Sequence, residues 1–199
     1  MALSAQQKKL ILPLVILAFG FVSLVGVALF IVAQPSSDAP RGSAIGGPFQ
    51  LVNQNGVRVS EASYKGGPVV MFFGYTHCPD VCPTTLFEMT EVLKRIPADK
   101  KVSALFVTVD PERDTPANLK DYLSSFDPRI SGLSGSREEI DAALKVFRVY
   151  ARKVPQENGE YSMDHSAIIY LMDSRGRFVN ALNLQQAPEV VAREILRQM

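Results

Sequence analysis

The sequence predicts an α/β domain whose sheet has a parallel core and helices on both faces. Two βα units carry this reading. The apolar run Pro68-Val69-Val70-Met71-Phe72-Phe73 reads as a buried strand and is followed by Leu86, Met89, Val92, Leu93 and Ile96 at helical spacing. A second buried run, with Val102, Ala104, Leu105, Phe106, Val107 and Val109, leads into a helix capped by Thr115 with Pro116 at its first position. Strands alternating with helices build sheets of this kind. Functional residues in such folds gather at the carboxyl ends of the strands.

The other elements fall in order around these units. Residues 49–52 and 57–59 form a hairpin about Asn55-Gly56, a strong hairpin-turn signal. Between the first buried strand and its helix stands Gly74-Tyr75-Thr76-His77-Cys78-Pro79-Asp80-Val81-Cys82-Pro83. Proline suits the first helical position, so this helix is expected to begin at Pro83 and to leave residues 78–82 as an irregular turn. The helix after Thr115 should run to about Phe126, and residues 129–133 read as a short strand. Ser136 and Glu139 make a capping box ahead of Ile140, Ala143, Leu144 and Phe147. Residues 149–163, with Pro155 and Asn158-Gly159, read as a long loop or a ragged hairpin. A strand at 167–172, a turn at 173–176, a strand at 177–179 and a helix opened by Pro188 complete the chain.

The N-terminus has a different character. Residues 11–33 are almost wholly apolar and uncharged, long enough for a bilayer core of roughly 30 Å. Lys8 and Lys9 precede them, which orients residues 1–10 to the cytoplasm and the remainder outside. A cleavable signal peptide is the rival reading, but its apolar region is usually about 7–15 residues. No Arg/Ser-rich transit segment comes first, which favours a bacterial inner membrane over a mitochondrial one. Residues 34–47 form a Pro/Ser/Gly/Ala-rich linker, and 48–199 form one domain. The 21 basic and 20 acidic residues nearly balance with no basic block, which argues against a nucleic-acid partner.

The strand-to-helix turn holds both cysteines, Cys78 and Cys82, and one of the two histidines. The orphan N–H groups and positive end of a helix favour thiolate, so a lowered cysteine pKa is expected there. The Cys-x-x-x-Cys spacing is wider than the usual redox pair and suits two sulfurs on one ion. In a thioredoxin-like fold the loop entering the 167–172 strand faces the cysteine helix, and here that place is taken by Asp164-His165-Ser166. Two thiolates and an imidazole form a mostly soft set with an open position, suited to Cu(I) through sulfur and to Cu(II) through nitrogen. Zinc can use the same ligands, although its structural sites want four. His165 alone can equally be a satisfied turn histidine. His77 is either a further ligand or a tuner of Cys78 acidity. Asp110 and Asp114 fit turn-and-cap chemistry. Asp164 either orients His165 or only makes a turn. Met163 and Met172 read as packing residues.

Taken together, residues 74–83, the segment Val109-Asp110-Pro111-Glu112-Arg113-Asp114-Thr115-Pro116 and the segment Asp164-His165-Ser166 resemble the Sco (SenC) family of copper-binding, thioredoxin-like proteins. The likeness runs from about Gly47 to the C-terminus, and the single N-terminal anchor fits it. The resemblance implies a thioredoxin-like fold with a central mixed sheet flanked by helices, behind one transmembrane helix. It implies copper bound by Cys78, Cys82 and His165. His77, Asp110 and Asp164 are candidates for supporting or docking roles. It also implies a role in maturing the dinuclear copper centre of cytochrome c oxidase. The partners would be the copper-bearing oxidase subunit and, as donor, another periplasmic copper chaperone. Family members divide between copper delivery and thiol–disulfide work, so reduction of the target cysteines is the alternative. Peroxide reduction is a weaker third. A purely structural disulfide would close only a tiny loop and stabilise by less than the ~3 kcal/mol of a 15-residue loop.

Overall fold

The computed structural model describes Ser23 and residues 45–157 and 159–199. The N-terminal tail 1–10, nearly all of the apolar segment 11–33 and residues 34–44 of the linker lie outside the described residues. Among the described residues, no helix is long and apolar enough to cross a membrane.

Among the described residues from 45 on, nine strands and four α-helices follow one another. They are β1 (Gln50–Asn53), β2 (Arg58–Ser60), β3 (Val69–Gly74), α1 (Val81–Lys94), β4 (Ser103–Thr108), α2 (Pro116–Leu123), β5 (Ile130–Ser134), α3 (Arg137–Phe147), β6 (Ala151–Pro155), β7 (Tyr161–His165), β8 (Ile169–Met172), β9 (Phe178–Leu182) and α4 (Pro188–Leu196). A 3-10 turn, Glu61–Tyr64, has no counterpart in the sequence reading. The main sheet runs β2-β1-β5-β4-β3-β8-β9. Its centre, β5-β4-β3, is parallel, and the remaining pairs are antiparallel.

Alternation along β3 divides the core. Phe72 pairs with Phe106 of β4, their ring centroids 6.0 Å apart, and Phe106 meets Tyr122 of α2 at 5.9 Å. Phe73 points the other way, to Phe147 of α3 at 5.4 Å and Tyr170 of β8 at 5.8 Å. Helices therefore cover both faces, as the alternating pattern predicts. A Cβ on Gly132 would lie 2.7 Å from Leu123 Cδ1, so the absent side chain is what lets α2 sit tightly on β5.

Besides small shifts in the last two strands, β8 starting at Ile169 and β9 running on to Leu182, three differences from the sequence reading bear on the site. First, α1 begins at Val81, not Pro83, with Asp80 as its N-cap. The first helical bond runs from Thr84 N to Asp80 O, 3.2 Å. Pro83 is harmless inside this turn because the first N–H groups of a helix have no helical partner. Second, α2 ends at Leu123, short of Phe126. Third, the ragged segment 149–163 is a regular hairpin, β6–β7, with its own register from Ala151–His165 to Pro155–Tyr161. His165 is thus the last residue of β7 and not part of a loop entering β8. The two proposed caps are as read: Thr115 Oγ1 accepts from Asn118 N at 3.2 Å, and Ser136 and Glu139 form the capping box.

Candidate metal centre

β3 delivers the cysteine turn to the carboxyl end of the parallel sheet. Cys78 N donates to Tyr75 O at 3.3 Å, which turns the chain, and Cys82 N donates to Cys78 Sγ at 3.4 Å. Cys78 is half-buried and Cys82 fully buried in the first turn of α1. Both cysteines are free. The β6–β7 hairpin brings His165 against them, with Nε2 3.8 Å from Cys82 Sγ. The two sulfurs and one imidazole nitrogen lie within 4.8 Å of one another, so the three residues can form a metal site.

The histidine presents one ring nitrogen to the sulfurs. Its Nδ1 lies 3.2 Å from the Ser166 carbonyl. A carbonyl oxygen only accepts, so the proton sits on Nδ1 and the Nε2 lone pair faces the sulfurs. Burial pushes the His165 pKa below its ordinary value, which keeps the ring neutral. Tyr75 and Phe72 hold the ring edge-on, at centroid distances of 5.8 and 6.4 Å. Asp164, offered by the sequence as its orienting acceptor, is exposed, and the Ser166 carbonyl takes that place.

Cys82 departs from the sequence expectation. Burial pushes its thiol pKa far up, opposite to the fall expected at a helix N-terminus. Desolvation outweighs the helix end because Cys82 lies inside the first turn, covered by the sheet. Its sulfur fits only because residue 74 is glycine: a Cβ there would stand 2.7 Å from both Cys82 Sγ and Phe106 Cε2. Gly74→Ala is therefore expected to lose about 1–3 kcal/mol of stability through overpacking. A urea midpoint equal to that of the native chain would refute this.

The remaining candidates form the surroundings. His77 is outside the donor cluster; its Nδ1 lies 3.0 Å from Thr76 Oγ1 and 3.9 Å from Asp114 Oδ1. Asp110 and Asp114 are fully buried in the loop after β4. Asp114 accepts from Thr108 Oγ1 (2.6 Å), Thr76 Oγ1 (2.6 Å) and Thr76 N (3.0 Å), while burial raises its pKa. Asp110 accepts from Arg113 Nε at 2.5 Å and from the Tyr161 hydroxyl at 3.0 Å. Turn-and-cap chemistry describes Thr115 correctly but misses these two carboxylates, and it misses Tyr75, Arg113 and Tyr161 altogether. Two acidic residues one helical turn apart, directly after a fully buried strand, were the available signal.

A parallel-centred sheet with a cysteine pair at the start of its first helix, and a histidine folded over that pair, defines a thioredoxin-like domain whose sulfur and imidazole cluster can hold a metal ion. The SCO1/SenC family model matches residues 37–199, and the chain belongs to that family. It is 40% identical over 139 residues to the mitochondrial SCO1 homolog 1 of Arabidopsis thaliana, covering 69% of this chain and 42% of that protein. The chain thus spans less than half the length of that curated relative. The structure of Bradyrhizobium japonicum ScoI with copper bound matches with a TM-score of 0.76 and 58% identity, covering 78% of this chain and 99% of that one. The BsSco structure, described as having a disulfide switch and as a member of the Sco family of cytochrome c oxidase assembly proteins, matches at 28% identity and a TM-score of 0.60. It covers 79% of this chain and 94% of that one.

Proposed function

We propose that this protein carries copper on Cys78, Cys82 and His165 and serves the maturation of the dinuclear copper centre of cytochrome c oxidase. The observation that carries the reading is the convergence of two sulfurs and one imidazole nitrogen within 4.8 Å. That donor set suits copper by its softness. The copper-bound ScoI relative supports the choice of metal. Copper here is cargo: it arrives from a donor chaperone and leaves for the copper-bearing oxidase subunit. Residues 11–33 would anchor the protein in a bacterial inner membrane with residues 48–199 in the periplasm, and 34–47 would give the domain reach.

The reading is tested on reduced protein loaded with copper. X-ray absorption should find two sulfurs and one nitrogen, and His165→Ala should lose the nitrogen while folding persists. A native site without imidazole nitrogen would defeat the three-ligand assignment. Deleting the gene should lower oxidase activity, and added copper should restore it in part.

A second reading rests on the free, adjacent sulfurs. Two thiols can reduce a disulfide on the target copper site, becoming a disulfide themselves while two electrons and two protons pass to the target. On that reading His165→Ala retains activity toward an oxidised target peptide, and Cys78→Ser loses it.

A further inference from the structure

We infer that the loop 110–114 fixes the separation between the cysteine turn and the histidine hairpin, with Arg113 as the residue that positions His165 for the metal. This rests on the three-ligand copper reading above.

The β6–β7 hairpin is a sheet of its own, outside the main sheet. A two-stranded hairpin is marginal by itself, so the position of His165 depends on what ties the hairpin to the domain. Tyr161, Met163 and His165 alternate along β7 and share its inward face. Met163 is buried in the core. Tyr161 is held three ways by the loop. Its hydroxyl donates to Asp110 Oδ1 (3.0 Å), its carbonyl accepts from Arg113 Nη1 (3.0 Å), and the Arg113 guanidinium carbon lies 3.8 Å from its ring centroid. Asp110, fully buried, fixes Arg113 through Nε.

The other end of the same loop holds the cysteine side. Asp114 accepts both the main-chain N–H and the hydroxyl of Thr76, two residues before Cys78. Asp114 N donates to Asp110 O at 3.0 Å, so the two buried carboxylates belong to one closed turn. Between the two sides stands Tyr75. Its ring lies 5.8 Å from the Arg113 guanidinium carbon and is edge-on to His165. One short loop therefore grips both ligand-bearing segments; Asp110 through the Tyr161 hydroxyl and Glu112 through Lys153 also tie it to the hairpin, and Arg113 is the link that reaches the β7 main chain and the Tyr161 ring together.

The test is a double-mutant cycle on full-length, detergent-solubilised, reduced protein, reading Cu(I) affinity by competition with a chelator. Arg113→Ala should weaken affinity by about 10-fold or more, the scale on which outer-shell partners act, and should lower the nitrogen signal in X-ray absorption. In the His165→Ala background the same change should have no further effect. Tyr161→Phe, which removes one hydroxyl, should act in the same direction more weakly, and only while His165 is present. Arg113→Lys should keep the charge but not the affinity, because an ammonium cannot span Asp110 and the Tyr161 carbonyl as the guanidinium fork does. Equal losses in both backgrounds, or unchanged affinity in Arg113→Ala, would overturn the inference. If Arg113→Ala does not fold, unchanged affinity in both Tyr161→Phe and Arg113→Lys overturns it. Unchanged affinity in His165→Ala alone would instead sink the copper reading beneath it.

Discussion

Cys82→Ala should abolish stoichiometric copper binding while leaving a folded domain. Cys82 contributes the one fully buried sulfur of the donor cluster, 3.8 Å from His165 Nε2. Without it, Cys78 and His165 remain as two donors across a gap with nothing between them. The loss should exceed the 10–100-fold that outer-shell partners carry, because a ligand itself is gone. The fold should survive for a separate reason. Removing one buried sulfur opens a void about the size of a methylene, which costs about 1 kcal/mol, the scale of a one-methylene truncation. Burial already holds this thiol protonated in the metal-free state, so its removal strands no charge. Copper counted per protein after gel filtration, together with circular dichroism, checks both halves. One copper retained per chain would show that Cys82 is not a ligand.

The fold and the clustering of Cys78, Cys82 and His165 were largely legible in the chain, for identifiable physical reasons. The β3 and β4 runs are predominantly apolar because they lie buried at the centre of the sheet, so their pattern needs no knowledge of their neighbours. Thr115-Pro116 and Ser136-x-x-Glu139 are local devices whose chemistry is complete within one turn. The hairpin that carries His165 was less legible. Its strand residues, such as Arg152, Lys153, Ser162 and Asp164, are polar, and it belongs to no larger sheet whose burial would impose alternation. The start of α1 was misplaced because proline at the first helical position is a preference, whereas its tolerance anywhere in the first turn is what the geometry uses. Cys82 acidity was misjudged because a helix end is visible in sequence and burial under a sheet is not. The roles of Asp110, Arg113 and Tyr161 depend on a contact between residues far apart in sequence, and no local pattern encodes it.

Copper should raise the melting temperature of the reduced domain and leave that of the oxidised domain unchanged. A Cys78–Cys82 disulfide consumes both sulfur donors, so the oxidised form has no site to load. In the reduced form copper spans the cysteine turn and the β6–β7 hairpin, segments that part on unfolding. A ligand of the native state adds RT ln(1 + [L]/Kd), about 4 kcal/mol at a thousandfold excess over Kd, or about 10 °C for a domain of this size. The effect should depend on pH in a defined direction. Burial lowers the His165 pKa from 6.5, so the unfolded chain binds more protons below that value and metal-free stability falls with acidification. Burial raises the Cys82 pKa from 9.0, so the unfolded chain releases its proton first and metal-free stability falls again above that value. As judged by these two groups, the metal-free reduced domain is most stable between those limits. Copper must displace every thiol proton still bound, so its affinity, and the stabilisation it gives, should grow as pH rises from 6.5 toward 9.0. Calorimetric scans of reduced and oxidised protein with and without copper, repeated at several pH values in that range, test the whole scheme. Equal stabilisation of both redox forms, or a copper effect that shrinks with rising pH, would mean that the metal binds away from Cys78 and Cys82.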